Sequence, residues 1–153
     1  ASNVIYEFQQ ALHRKKQHEV KVEPVTLEGR KILIVEDMEV NAEIMKMILE
    51  MQGMDSERAE NGKVAVEMFL DKPPGYYSAV LMDIRMPVMD GLQATEEIRK
   101  LDRADAKTIP IIAMTANAFD EDVQRSLSAG MNAHLAKPVE PEILFKTLRD
   151  FVR

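Results

Sequence analysis

Three runs in this chain are apolar without alternation: Lys31-Ile32-Leu33-Ile34-Val35, Ser78-Ala79-Val80-Leu81-Met82 and Ile109-Pro110-Ile111-Ile112-Ala113-Met114. A strand with one wet face alternates; a strand covered on both faces does not. Weaker strand patterns lie at Asp55–Ala59 and Ala133-His134-Leu135-Ala136. Segments of helical spacing separate them. Val40, Ile44, Met47, Ile48 and Met51 precede Gly53, and Val64, Val66, Met68, Phe69 and Leu70 follow the Asn61-Gly62 turn. Leu92, Thr95, Ile98 and Leu101 form a third face. A fourth helix is expected near Asp120–Ala129, stopped by Gly130, and a fifth carries Ile143, Leu144, Thr147, Leu148 and Phe151. Five strands alternating with five helices need crossover connections and hence a parallel sheet with both faces covered. The expected fold is a doubly wound α/β domain.

The bulk numbers fit one such domain with a short appendage: 153 residues, 46% hydrophobic and 30% charged. The formal charge of −6 argues against nucleic-acid binding as the main role. No run of about 18 apolar residues would span a membrane, and no signal-peptide pattern opens the chain. Without cysteine there is neither a disulfide framework nor a thiolate metal site, which suits a reducing cytosol. A chain that opens on Ala1 rather than Met is expected to be a processed, tagged or excised piece. Residues 1–30 carry five Lys/Arg against four Asp/Glu, and the remainder fifteen against twenty-two, so the acidity belongs to the main domain. Residues 1–28 are read as a linker or N-terminal extension, partly helical through Val4, Ile5, Phe8 and Leu12, and residues 29–153 as the domain proper. His13 and His18 are read as solvated. The eleven Met residues are expected mainly to fill the core.

In an open parallel sheet ligands bind beyond the carboxyl ends of the strands. The strands end in Glu36-Asp37, Asp83, Thr115 and Lys137, four polar endings converging on one sheet edge. Three carboxylates close together raise one another's pKa unless a cation neutralises them. Mg²⁺ suits a site offering few carboxylates, with waters completing the shell. An ammonium and a hydroxyl added to that set can surround a phosphoryl group, and a carboxylate can itself be the nucleophile.

Four segments carry a family resemblance: Ile-Val-Glu-Asp at 34–37, Leu-Met-Asp-Ile-Arg-Met-Pro-Val-Met-Asp-Gly at 81–91, Met-Thr-Ala-Asn-Ala at 114–118 and Ala-Lys-Pro at 136–138. In wording, order and spacing, residues 30–153 resemble the receiver domain of two-component response regulators. The resemblance implies a flavodoxin-like five-stranded sheet in the order 2-1-3-4-5. It implies that Asp83 is the phosphoacceptor, that Asp37 and Glu36 hold Mg²⁺ with Asp83 and the backbone carbonyl of Arg85, and that Mn²⁺ can substitute. Thr115 resembles the family's switch hydroxyl and Lys137 its site lysine, with Lys137-Pro138 resembling a frequent cis peptide. Ala116 stands where a small residue keeps the phosphoryl path open.

The implied partner is a histidine kinase or histidine phosphotransfer domain acting as phosphodonor, and the implied output is a switched surface around the fourth helix, fifth strand and fifth helix. No nucleic acid is bound directly, and dimerisation is compatible with the pattern. The wording of the later segments and the preceding linker most resemble the C-terminal receiver of a hybrid sensor histidine kinase, in the cytoplasm or as the cytoplasmic part of a membrane-bound sensor. No DNA-binding helix pair follows Arg153, so no output domain is expected in this chain.

Two positions depart from the family pattern. His134 stands where the switch aromatic, usually Tyr or Phe, is found, and Met38 stands where close relatives often carry Asn. A single-domain response regulator is the nearest alternative. An aspartate-nucleophile phosphatase of the haloacid-dehalogenase type is disfavoured, because its second Asp would fall at Arg85. A partner-binding pseudo-receiver would lack one of the acids or the lysine, and all are present. The implied catalysis is limited to the domain's own phosphorylation and dephosphorylation. The latter is expected to be slow, with Arg85 and Asn117 flanking the approach of water.

Overall fold

The computed structural model describes residues 26–116 and 121–152. The expected helix at 4–12, His13, His18 and Asn117 lie outside them. Strands β1 (Lys31–Val35), β2 (Asp55–Ala59), β3 (Ala79–Asp83), β4 (Ile111–Thr115) and β5 (Ala133–Ala136) alternate with helices α1 (Glu39–Glu50), α2 (Gly62–Asp71), α3 (Gly91–Lys100), α4 (Glu121–Ala129) and α5 (Pro141–Phe151). The strands form one sheet in the order β2-β1-β3-β4-β5, and every pairing is parallel. The doubly wound fold and its implied strand order are both present.

The sequence pattern explains the placement of the strands. β3 and β4 are buried at every position, as their unbroken apolar runs require, whereas β2 carries Asp55, Glu57 and Arg58 at the sheet's edge, where charge discourages further strand pairing. β4 begins at Ile111 rather than Ile109. Pro110 has no N–H to give a ladder, although its carbonyl still accepts from the Val80 N–H at 2.9 Å. One apolar cluster joins Ile32, Ile34, Leu81 and Ile112 to Met45, Leu49, Leu144 and Leu148, and so packs α1 and α5 on one face. The other joins Leu33, Val35, Val80 and Met82 to Phe69, Leu92 and Ile98, packing α2 and α3 on the opposite face, with Ala129 at the end of α4. Leu27 already belongs to the first cluster.

Helix starts follow local chemistry. Asn61 accepts from the Val64 N–H at 2.9 Å at the head of α2. Asp90 and Gln93 form a reciprocal capping box on α3, and Pro141 opens α5.

The apolar face expected of α1 is the wrong one. Val40, Ile44, Met47 and Met51 are 67%, 51%, 63% and 68% exposed, while Ala42, Met45 and Leu49 turn inward. The inward stripe is the one that meets Ile32 and Ile34 on the sheet, and burying one Leu there is worth about 1.5–3 kcal/mol. Met38, Met47 and Met51 therefore do not fill the core. Leu70 and Ile143, also read as face residues, are 53% and 51% exposed. Among the described residues no helix is long and apolar enough to cross a membrane.

Candidate functional site

β1 and β3 are neighbours, with Val35 in register with Met82. The residues that follow them therefore emerge side by side at the carboxyl edge of the sheet. Glu36 and Asp83 are buried there, at 1% and 6% exposure, and Asp37 is exposed. One carboxylate oxygen from each of the three lies within 4.8 Å of the others. Lys137 reaches across from the end of β5, its Nζ 3.0 Å from Asp83 Oδ2 and 3.2 Å from Glu36 Oε1. The backbone N–H of Lys137 donates to the Thr115 carbonyl at 2.8 Å, which fixes the end of β5 against β4. The Lys137-Pro138 peptide is cis.

These residues line one cleft of about 250 Å³, together with Met38, Arg85, Thr115 and Ala116. Thr115 is buried, and Arg85 is exposed. The cleft thus gathers Glu36, Asp37, Asp83, Arg85, Thr115 and Lys137. His134 is not among its lining residues; it is exposed on β5.

Electrostatics follow from this packing. Burial raises the Glu36 carboxyl above its ordinary range, and the charge of Asp83 raises it further, against the opposing pull of Lys137 and of the Met38 N–H. Burial works against the Lys137 ammonium, but its hydrogen bond to Asp83 and the charges of Asp83 and Glu36 outweigh this, and its pKa lies above the usual lysine value. Three carboxylates still outnumber the two cations that line the cleft, the Lys137 ammonium and the Arg85 guanidinium, and a divalent cation would offset the remaining negative charge. The donors are hard oxygens, the kind that suit Mg²⁺, and Glu36, Asp37 and Asp83 are the side chains that would hold it.

Two positioning features were not read from sequence. Arg58, at the end of β2, donates from Nε to the Glu36 carbonyl and from an Nη to the Asp37 carbonyl, each at 3.0 Å. It pins the loop that presents both acids. The signal available was a lone cation near the carboxyl end of an edge strand, which identifies no partner. Gly91 follows the β3–α3 loop, and any Cβ there would strike the Asp83 carbonyl oxygen. In the sequence it reads only as turn chemistry.

Comparison with known proteins agrees with this geometry. Residues 32–149 match the model of the response regulator receiver domain. A hybrid signal transduction histidine kinase of Dictyostelium discoideum is 34% identical over 121 residues, which cover 78% of this chain and 7% of that protein. A two-component system protein of Emericella nidulans is 40% identical over 132 residues, 85% of this chain and 19% of the relative. The chain therefore spans only a small part of the curated relatives it matches.

Among solved structures, the receiver domain of a Pseudomonas aeruginosa sensor histidine kinase, with magnesium coordinated in its active-site cleft, superposes with a TM-score of 0.73 at 39% identity, covering 80% of this chain and 97% of that one. A co-crystal of a Saccharomyces cerevisiae histidine phosphotransfer protein with the receiver domain of its downstream response regulator supplies another match, with a TM-score of 0.71 at 28% identity over 86% of this chain and 92% of that one. The family match, the strand order and the acidic cleft converge: the chain belongs to the response regulator receiver domain family of two-component signalling.

Proposed function

We propose that Asp83 accepts a phosphoryl group from a phosphohistidine on a partner protein, in a reaction that needs Mg²⁺. The observation that carries this is the position of Asp83: buried at the end of β3, in the acidic cluster, and 3.0 Å from the Lys137 ammonium. An Asp83 carboxylate oxygen would attack phosphorus and form a P–O bond. The P–N bond to the donor imidazole would break, its electron pair returning to the ring nitrogen. Lys137 stands where it can meet the charge on the transferring oxygens, and Thr115 lines the same cleft with a hydroxyl. Asp37, Glu36, Asp83 and the Arg85 carbonyl would hold the Mg²⁺, which when bound offsets the negative charge of acceptor and phosphoryl group. Mn²⁺, another hard cation suited to oxygen donors, is the proposed substitute.

The Dictyostelium discoideum relative, named as a hybrid signal transduction histidine kinase, favours this chain as the receiver portion of such a kinase, with residues 1–28 as its linker, working in the cytoplasm. A histidine phosphotransfer domain or the kinase's own phosphohistidine is the proposed donor. A single-domain regulator remains the second reading. Thr115 and His134 are the proposed switch residues. With His134 exposed, any inward movement on phosphorylation starts from an outward position. Arg85 leaves no general acid two residues after Asp83, so sustained phosphatase turnover is not proposed.

The test is intact-mass measurement after incubation with acetyl phosphate. One added phosphoryl group is expected with Mg²⁺, and none after chelation. Labelling that survives chelation would refute the metal dependence. Stoichiometric labelling of the Asp83→Asn variant would refute the assignment of the acceptor.

A further inference from the structure

Glu36 and Asp37 leave β1 at the point where the sheet stops holding the chain. Val35 and Ala59 are the last pair in the β1–β2 register, and the Glu36 N–H donates to the Ala59 carbonyl at 3.1 Å. Beyond that rung the chain turns toward α1, whose cap residue, Met38, makes no side-chain hydrogen bond. The first turn of α1 then closes with the Ala42 N–H on the Met38 carbonyl, at 3.1 Å. The carbonyls of Glu36 and Asp37 fall between ladder and helix, and Arg58 of β2 donates to both, each at 3.0 Å. The backbone of Glu36 is thus held by β2 at its N–H and at its carbonyl alike.

The two acids depend on this hold unequally. The Glu36 carboxylate has partners of its own, Lys137 Nζ at 3.2 Å on Oε1 and the Met38 N–H at 3.3 Å on Oε2. The Asp37 carboxylate is exposed, and among the described residues it takes no hydrogen bond or ion pair. Its aim toward Glu36 and Asp83 therefore comes from the backbone that Arg58 fixes. Arg58 itself is exposed and is not among the residues lining the cleft, so it acts on the acids through their main chain. The residue type matters. A guanidinium presents Nε and Nη in one rigid plane and can meet two successive carbonyls, whereas an ammonium is a point donor. A guanidinium is also a cation beside an acidic site, and its charge alone disfavours a second cation. Positioning and repulsion therefore give opposite signs for the effect of removing it.

We infer that Arg58 is a positioning residue for the metal site. By holding the carbonyls of Glu36 and Asp37 it keeps their carboxylates within reach of Asp83, and so raises the affinity for Mg²⁺ without touching the ion. The inference rests on Glu36, Asp37 and Asp83 as the Mg²⁺ site. Groups that orient metal ligands from behind typically contribute about 10–100-fold to metal affinity; the exposure of Arg58 places it at the low end of that range.

The experiment titrates Mg²⁺ calorimetrically into the 153-residue chain and its Arg58→Gln and Arg58→Lys variants. The same proteins are labelled with acetyl phosphate across a Mg²⁺ series. Arg58→Gln is expected to weaken the Mg²⁺ Kd about tenfold, with Arg58→Lys, which keeps the charge but not the fork, between it and wild type. The Mg²⁺ midpoint of labelling should move with the Kd, while the rate at saturating Mg²⁺ stays within about threefold of wild type, the split expected when binding alone is lost. An Arg58→Gln Kd equal to wild type, or tighter because a repelling charge has gone, would overturn the inference. So would an Arg58→Lys Kd equal to wild type, or a slower saturated rate with an unmoved midpoint. Thermal melts without Mg²⁺ confirm that each variant is folded at the titration temperature, and Arg58→Lys carries the test if Arg58→Gln is not. A wild-type chain that neither binds Mg²⁺ nor needs it for labelling would instead remove the metal-site reading, and this inference with it.

Discussion

Glu36 and Glu57 show how one side-chain type is put to two uses. Glu36 is buried beside Asp83, and both burial and that neighbour raise its pKa, so its charged form is poorly provided for within the chain. Glu57 is set among donors. Burial works against its charge, but the hydroxyls of Tyr77 and Tyr76 each donate to it at 2.7 Å, Lys31 adds its charge, and its pKa falls below the usual value. A carboxyl whose folded pKa is depressed stabilises the fold above its unfolded pKa, and that contribution is lost as pH falls through the folded value. Tyr77→Phe is therefore expected to cost about 1 kcal/mol near neutral pH, and the difference from wild type should shrink as Glu57 protonates in acid. Urea unfolding at neutral and acidic pH measures it; a difference independent of pH would contradict the assignment. At this scale the acids of the site were legible because they end apolar strands. Arg58 was not, because its partners are backbone carbonyls that no side-chain pattern announces.

At the scale of elements, α1 shows where periodicity stops being informative. Its sequence is apolar at positions 40, 42, 44, 45, 47, 48 and 49, enough to draw a stripe on either side of the helix. The sheet selects Ala42, Met45 and Leu49, and the larger stripe is left outward. Leu49→Ala should therefore cost about 2–5 kcal/mol, whereas Met47→Gln should stay within about 0.5 kcal/mol of wild type. Chemical denaturation of both variants checks this, and comparable losses would mean that the helix is rotated. The strands needed no such choice. β3 and β4 are apolar throughout and buried throughout, so no face had to be picked.

At the scale of the whole molecule, the site exists because the strand order makes β1 and β3 neighbours and places β4 and β5 beyond them. Glu36, Asp83, Thr115 and Lys137 are far apart in sequence and share one cleft. Alternating strands and helices establish a parallel sheet, and the rule for its carboxyl edge indicates which residues to examine. Neither sets the order of the strands, which came from resemblance and is now seen in the register. The separation of roles follows from the same geometry: acids from β1 and β3 form the anionic pole, and Lys137 from β5 closes it. The acceptor residue is the central claim, and its most direct test is chemical. The chain labelled with acetyl phosphate and Mg²⁺ is reduced with borohydride, which converts an aspartyl phosphate to homoserine, and its peptides are sequenced by mass spectrometry. Homoserine at position 83 and nowhere else is the expected result. An unmodified Asp83, with the modification at Asp37, Asp90 or another carboxylate, would contradict it.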